Sequence, residues 1–222
     1  MPIFKTKNEN FFKNWTPEMA YVLGFFTADG NMIRNKRGAH FVTIEITDKD
    51  ILEKIRETID SNHKISIRKK EFPDKDTYRL QIGSKQIFND LLKLGLTPNK
   101  SKTIDLPHVP DKYFAHFIRG YFDGDGNVTI SNYMRKARNN KKSRTILSGF
   151  TCGSHKFLSN LQIGLRKNVG ILGGTFNYSS RGYRLYFSVN DSLKLYNFMY
   201  TGINNHLFLS RKREIFEKYF KR

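Results

Sequence analysis

Nine residues occur twice. Val22-Leu-Gly-Phe-Phe-Thr-Ala-Asp-Gly30 and Ile118-Arg-Gly-Tyr-Phe-Asp-Gly-Asp-Gly126 share the pattern Gly-aromatic-Phe-x-small-Asp-Gly, each followed by Asn and an apolar residue. The copies stand 96 residues apart, Gly24 to Gly120, in a chain of 222. A second pair, Tyr78-Arg-Leu-Gln-Ile and Tyr183-Arg-Leu-Tyr-Phe, stands 105 residues apart. The chain therefore reads as two like units, the second longer by about nine residues between these markers. The basic stretch Met134–Arg144 is the natural place for the insertion.

Hydrophobic periodicity gives both units one order of elements. Motif helices are expected at Pro17–Ala28 and Lys112–Gly124. Strands follow at Asn31–Arg37, His40–Thr47, His63–Lys70 and Thr77–Ile82, then Asn127–Arg135, Thr145–Cys152, Thr175–Ser179 and Tyr183–Val189. Helical stretches interrupt them at Ile51–Ile59 and Phe157–Lys167, and close the units at Lys85–Leu94 and Ser192–Tyr200. The class is α+β, αββαββα twice. The expected boundaries are residues 1–96 and 112–222, joined by the Pro-rich linker 97–111.

Each motif helix carries a small residue four places after a glycine, Gly24 with Ala28 and Gly120 with Gly124. Residues four apart share a helix face. Glycine inside a helix costs about 1 kcal/mol against alanine, so close approach of the two helices is the expected reason. The following Gly30 and Gly126 suit left-handed helix caps. That puts Asp29 and Asp125 at helix C-termini, where the macrodipole disfavours an anion. Two such carboxylates at a helix crossing repel, and a divalent cation relieves the conflict; oxygen-only ligands point to Mg²⁺. A single Asp-Gly after a helix is ordinary turn chemistry; the whole pattern occurring twice is what carries weight.

Charge names the partner. Lys and Arg number 39 against 20 Asp and Glu, a net +19, while aromatics reach 14% with 19 Phe and 11 Tyr. A folded, strongly basic protein fits a polyanion. The one cysteine, Cys152, excludes a disulfide framework and a Cys-rich zinc module. The longest apolar stretch, Ala20–Phe26, is far short of a membrane span, and the first residues lack a secretory signal's apolar core. The expectation is an intracellular protein, cytoplasmic or organellar (mitochondrion or chloroplast in a eukaryote), with no membrane partner. A magnesium site on a basic DNA-binding surface implies metal-assisted phosphodiester hydrolysis.

These motifs resemble those of the LAGLIDADG homing endonucleases, in the single-chain, two-motif form, and the likeness covers nearly the whole chain. Thr27 departs from the motif where an aspartate is common; Asp123 retains it in the second copy. The resemblance implies metal binding and catalysis by Asp29 and Asp125, with the carbonyls of Ala28 and Gly124 assisting. Mg²⁺ is the implied cofactor, with Ca²⁺ or Mn²⁺ as substitutes in the site. It implies a saddle-shaped antiparallel sheet in each half lying in the DNA major groove, and cleavage of both strands across the minor groove with short 3′ overhangs. The target is long and of low symmetry, the enzyme a monomer with internal pseudo-twofold symmetry, and the natural context intron homing or an intein. Ile46-Thr-Asp-Lys49 is similar to the family's water- and phosphate-organising segment, giving Lys49 with Asp48 as its neighbour. A lysine after each closing helix also matches, giving Lys100 and Lys212.

Alternation sorts the strand residues by face. Ile44, Ile46, Ile65, Ile67, Tyr78, Leu80 and Ile82 take the core. Opposite them in the first half stand Asn35 and Arg37, Thr43 and Glu45, Ser66, Arg68 and Lys70, then Thr77, Arg79 and Gln81. The second half offers Ser131, Tyr133 and Arg135, then Thr151, Thr175, Asn177, Arg184 and Tyr186. Mixed polar side chains of this kind read base edges. Loop Arg135–Arg144 adds Lys136, Arg138, Lys141 and Lys142 as phosphate contacts. Two alternatives stay open: a catalytically silent intron RNA maturase or DNA-binding regulator of the same fold, and a structural RNA-binding protein. Nothing in the sequence excludes intron RNA as a second partner.

Overall fold

The computed structural model describes residues 5–135, 141–203 and 205–221. The first half runs α1 (Pro17–Asp29), β1 (Gly30–Arg34), β2 (His40–Ile46), α2 (Lys49–Thr58), β3 (Ile65–Arg68), β4 (Thr77–Gly83) and α3 (Lys85–Lys93), then a 3-10 turn at Lys100–Lys102. The second runs α4 (Asp111–Asp125), β5 (Gly126–Arg135), β6 (Lys141–Cys152), α5 (His155–Val169), β7 (Thr175–Ser179), β8 (Gly182–Phe187) and α6 (Val189–Tyr200), and adds α7 (Ser210–Phe220). Each half forms a four-stranded antiparallel sheet, ordered β1-β2-β4-β3 and β5-β6-β8-β7. Among the described residues no helix is long and apolar enough to cross a membrane.

Local chemistry sets the helix starts. Thr16 Oγ1 accepts from the Met19 amide at 3.0 Å, with Pro17 pre-set in the first turn of α1. Ser84 and Ser154 cap α3 and α5 in the same way. Helix α1 is not amphipathic: Met19 through Thr27 are all buried. It is a core helix, enclosed by its own sheet on one side and by α4 on the other.

The close helix approach is borne out at backbone level. A Cβ placed on Gly24 falls 2.1 Å from Phe117 O, and one on Gly120 falls 2.0 Å from Tyr21 O. Neither position tolerates a side chain without separating the helices. The cap expectation at Gly30 and Gly126 does not hold. Their φ values are −80° and −83°, extended backbone that any residue adopts. Glycine is required there for space: an added Cβ meets the Phe26 ring at 2.4 Å, and the Phe122 ring at 2.3 Å in the second half. Each chain thus leaves its motif helix straight into the first strand.

Three further differences matter. The second half closes with two helices, α6 and α7, where one was expected. The nine-residue insertion is not a loop from Arg135 to Arg144. Strands β5 and β6 stay paired out to Arg135↔Lys141, making a ribbon of ten and twelve residues against five and seven in β1 and β2. Lys136 and Arg138 lie outside the described residues, as do the side chains of Arg135 and Lys141. Finally, Ile67 is 57% exposed, not core, on β3, the edge strand of its sheet.

Candidate active site

Helices α1 and α4 bring Asp29 and Asp125 together. The ends meet at Ala28 and Gly124: a Cβ on Gly124 would sit 2.4 Å from Ala28 Cβ and 3.0 Å from Asp29 Oδ2. Burial pushes the Asp29 carboxyl up to about 7; Asp125 pushes the same way, and Lys212 and Lys100 oppose them. Burial also raises Asp125, against the same two lysines. Neither carboxylate makes an ion pair among the described residues. A cleft of about 400 Å³, lined by Asp29, Asn31, Asn99, Lys100 and Ser101 among others, opens beside the pair. Among the described residues no group of three or more His, Cys, Asp or Glu is arranged to hold a metal. Protein carboxylates here come as a pair, which leaves coordination to be completed by backbone oxygen, water or a phosphate.

Two buried lysines flank the pair, one from each half. Lys100, in the 3-10 turn, donates to Gly30 O, and its ammonium lies 5.7 Å from the Phe26 ring centre. Lys212, on α7, donates to Phe122 O, Asp123 O and Gly126 O, each at 2.7 Å, and to Gly124 O at 3.2 Å. It therefore ties off the open carbonyls at the end of α4. Burial lowers both; Lys212 falls to about 8 even though Asp123, Asp29 and Asp125 pull it up. Gly124 O, expected to assist a metal, is thus already an acceptor for Lys212.

The segments that carry these lysines cross to the other half. A Cβ on Gly153 would lie 2.3 Å from Ser101 O, so the 3-10 turn sits against the bend after β6. Arg211 donates twice to Asp48, at 2.9 and 2.7 Å, tying α7 to the bend after β2. Lys49 is elsewhere: its exposed ammonium pairs with Glu53 at 2.8 Å along α2. Asp48 faces Arg211 in its place, and its charge adds to the upward push on Asp29.

The sequence reading missed a second group. Asp123 is fully buried; its Oδ2 accepts from Tyr21 Oη at 2.7 Å and from the Leu209 amide at 2.9 Å. Burial raises its carboxyl to about 6, opposed by Tyr21, Lys212, the Leu209 amide and Arg119. Arg119, 1% exposed, donates to Leu207 O at 3.0 Å, Met199 O at 2.9 Å and Asn205 Oδ1 at 3.3 Å. Together they hold the segment between α6 and α7 and so seat Lys212. The clue is in the repeat itself. At the matching places of the other copy, 96 residues away, Tyr21 becomes Phe117, Asp123 becomes Thr27 and Arg119 becomes Leu23. Thr27 satisfies its hydroxyl alone, on Leu23 O at 2.7 Å.

On the sheet faces the placements vary. Glu45, Arg79 and Gln81 lie on the face away from the helices, as do Ser66 and Arg68. Thr43 and Thr77 share that face but are buried: Thr77 donates to Glu45 Oε1 at 2.8 Å beneath the Arg68–Glu45 pair, and Thr43 sits between Asn31 and Gln81. Asn35 and Arg37 are not in a strand. β1 ends at Arg34, and Asn35 Oδ1 accepts from the Arg37 and Ala39 amides at 3.0 and 2.8 Å, building the turn. Lys70 lies beyond β3, its amide bonded to Asp76. In the second half, Ser131, Tyr133, Thr151, Thr175, Asn177, Arg184 and Tyr186 share one face, with Arg184 donating to Ser179. Gly149 leaves room there for the Tyr186 ring. Lys142 is exposed on the opposite side of the ribbon.

Comparison with known proteins places this geometry. A family model described as a LAGLIDADG-like domain matches residues 16–95. The uncharacterized protein MJ0398 of Methanocaldococcus jannaschii is 27% identical over 214 residues, covering 91% of this chain and 71% of that protein. The homing endonuclease I-WcaI, solved bound to its DNA recognition sequence, superposes with a TM-score of 0.60 at 16% identity, covering 94% of this chain and 91% of that one. I-SmaMI, solved on an uncleaved DNA target in the presence of calcium ions, gives 0.51 at 14% identity, covering 86% and 83%. The chain has the LAGLIDADG homing endonuclease fold, with both motif halves in one chain.

Proposed function

We propose that this chain, built on the fold of DNA-bound homing endonucleases, is itself a site-specific double-strand DNA endonuclease. Asp29 and Asp125 hold divalent metal, Mg²⁺, between the halves. The observation that carries the reading is the pair itself: two half-buried carboxylates at the helix crossing, without ion-pair partners among the described residues and pushed upward by burial, in Asp29's case by its neighbour's charge as well. A divalent cation is the species that converts this conflict into binding, and the Ala28 carbonyl at the end of α1 adds an oxygen donor. When bound, such a metal activates water and neutralises a phosphate's charge.

The chain's own residues do the rest. Lys100 and Lys212 place positive charge beside the pair, where negative charge develops on a phosphate under attack. Their bonds to the helix-end carbonyls also fix the carboxylates in place. One phosphodiester of each strand is cut, across the minor groove, leaving short 3′ overhangs. The outward sheet residues of both halves read a long target of low symmetry, and the protein acts as a monomer in the homing of an intron or intein.

The test is cleavage of a randomised duplex library with Mg²⁺ and with EDTA. Recovery of one long target cut on both strands, only with metal, is the expected result. Selection of a sequence that is bound but never cut would point instead to a silent binder of the same fold. Wild-type rates in the Asp29→Asn or Asp125→Asn variant would falsify the site assignment.

A further inference from the structure

The two sheets do not reach equally far. Each half's first strand starts directly after its motif helix, so Gly126–Ile130 stands level with Gly30–Arg34. The terminal pairings agree: Arg34↔His40 in one half matches Ile130↔Ile146 in the other. Residues 131–135 and 141–145 therefore have no counterpart. Five further residue pairs at about 3.4 Å each carry the ribbon about 17 Å beyond the reach of the β1–β2 hairpin.

An unsupported pair of strands is unstable in water, and β8 covers β6 only from Ser148 onward. Helix α7 supplies the brace. The Arg144 guanidinium lies 5.3 Å from the Tyr219 ring centre and donates to Lys218 O at 3.1 Å, while Tyr219 Oη donates to Arg144 O at 3.1 Å. The ribbon's back is held and its direction fixed. Its other face carries Ser131, Tyr133, Ser143 and Thr145, on the same side as Thr151 and Arg184 of the sheet. A two-stranded ribbon fits the major groove, and hydroxyls there can bond to donor or acceptor base edges.

We propose that the DNA target has two unequal arms. The arm read by the second half extends about five base pairs farther from the cleavage centre than the arm read by the first, since duplex DNA rises about 3.4 Å per base pair. This rests on the endonuclease reading above.

The experiment selects bound duplexes from a fully randomised 40-base-pair library with Ca²⁺, then maps the cut with Mg²⁺. It uses the wild type and a variant in which residues 131–145 are replaced by the five-residue turn 35–39. The expected wild-type consensus runs about five base pairs farther on one side of the cut, and the variant loses those outer positions while keeping the central ones. Arms of equal length, or a variant that loses positions on both sides or none, overturn the inference while leaving the nuclease reading intact. Should the shortened protein not fold, Tyr133→Ala and Thr145→Ala on the full ribbon must weaken selection at the outer positions alone. If the wild type selects a sequence but cuts nothing, the nuclease reading fails, and hydroxyl-radical footprints of wild type and variant decide the arms: protection lost at one end supports them, at both or neither overturns them. A wild type that selects no sequence overturns both.

Discussion

The two halves share a skeleton but seal it differently. The first ends in a short 3-10 turn, and one buried ammonium, Lys100, reaches its motif helix. The second ends in a full helix, and reaching it takes Arg119, Asp123 and the Tyr21 hydroxyl as well. Where a longer segment crosses the core, its free carbonyls and amides must be met, since a buried unpaired polar group costs about 1–3 kcal/mol. Where the segment is short, Leu23, Phe117 and Thr27 suffice. The difference teaches that polar residues inside a motif helix mark the half with more backbone to satisfy, not the half with more chemistry.

If the halves are equal in chemistry, losing either carboxylate must cost the same. Asp29→Asn and Asp125→Asn should each reduce linearisation of a target plasmid by about 10³-fold or more, several kcal/mol of transition-state stabilisation, with DNA binding retained in a mobility-shift assay. Unequal losses would show that one half dominates.

Stability should break the symmetry the other way. Arg119→Met leaves the buried carbonyls of Leu207 and Met199 without the guanidinium they accept from and should lower unfolding free energy by about 3 kcal/mol in a denaturant titration. The matching Leu23 has no such bonds to lose. Replacing the Tyr21–Asp123 pair with the Phe and Thr that stand at the matching places of the repeat, by Tyr21→Phe and Asp123→Thr, should cost about 1–3 kcal/mol, because the Leu209 amide loses the carboxylate it donates to. A neutral outcome would mean that the segment before α7 is held by packing alone.

Proton linkage sharpens the comparison at the shared pair. Asp29's pKa is raised on folding, so this group's contribution favours the folded state as pH falls from above 7 and disfavours it as pH rises. A metal competes for the same carboxylate. Calorimetric Ca²⁺ affinity should therefore weaken by about tenfold per unit below pH 7 if one proton is displaced, and Asp29→Asn should abolish that dependence. The smallest effect belongs to Lys49→Ala. The lysine is exposed and paired along its own helix, so cleavage should stay within about twofold of wild type, whereas Lys100→Met should not.

Most of the skeleton was legible in the sequence because periodicity and the repeat report on local structure. The motif glycines announced the helix contact, and Asp29 and Asp125 were placed by their position in the pattern. What stayed hidden depended on contacts distant in sequence. Helix α7 has no counterpart in the first copy, so the repeat gave no template for it. Thr43 and Thr77 alternate with the outward residues yet are covered by neighbouring side chains, which alternation does not see. Asn35 and Arg37 continued a plausible strand, but the Asn35 amide oxygen satisfies two backbone donors in a turn. Lys49 matched a local segment, while the partner that faces Asp48 came from the far end of the chain, Arg211.

The crossing of the closing segments has a consequence for how such chains can be rebuilt. Ser101 of the first half rests on Gly153 of the second, and Arg211 of the second clasps Asp48 of the first. The halves are therefore not interchangeable modules. A hybrid assembled from two related chains needs matched residues at both seams, and a lineage that changes Gly153 or Asp48 alone disturbs the lysine-bearing segment belonging to the opposite half. The outer faces of the two sheets can drift independently, but the seams must evolve together.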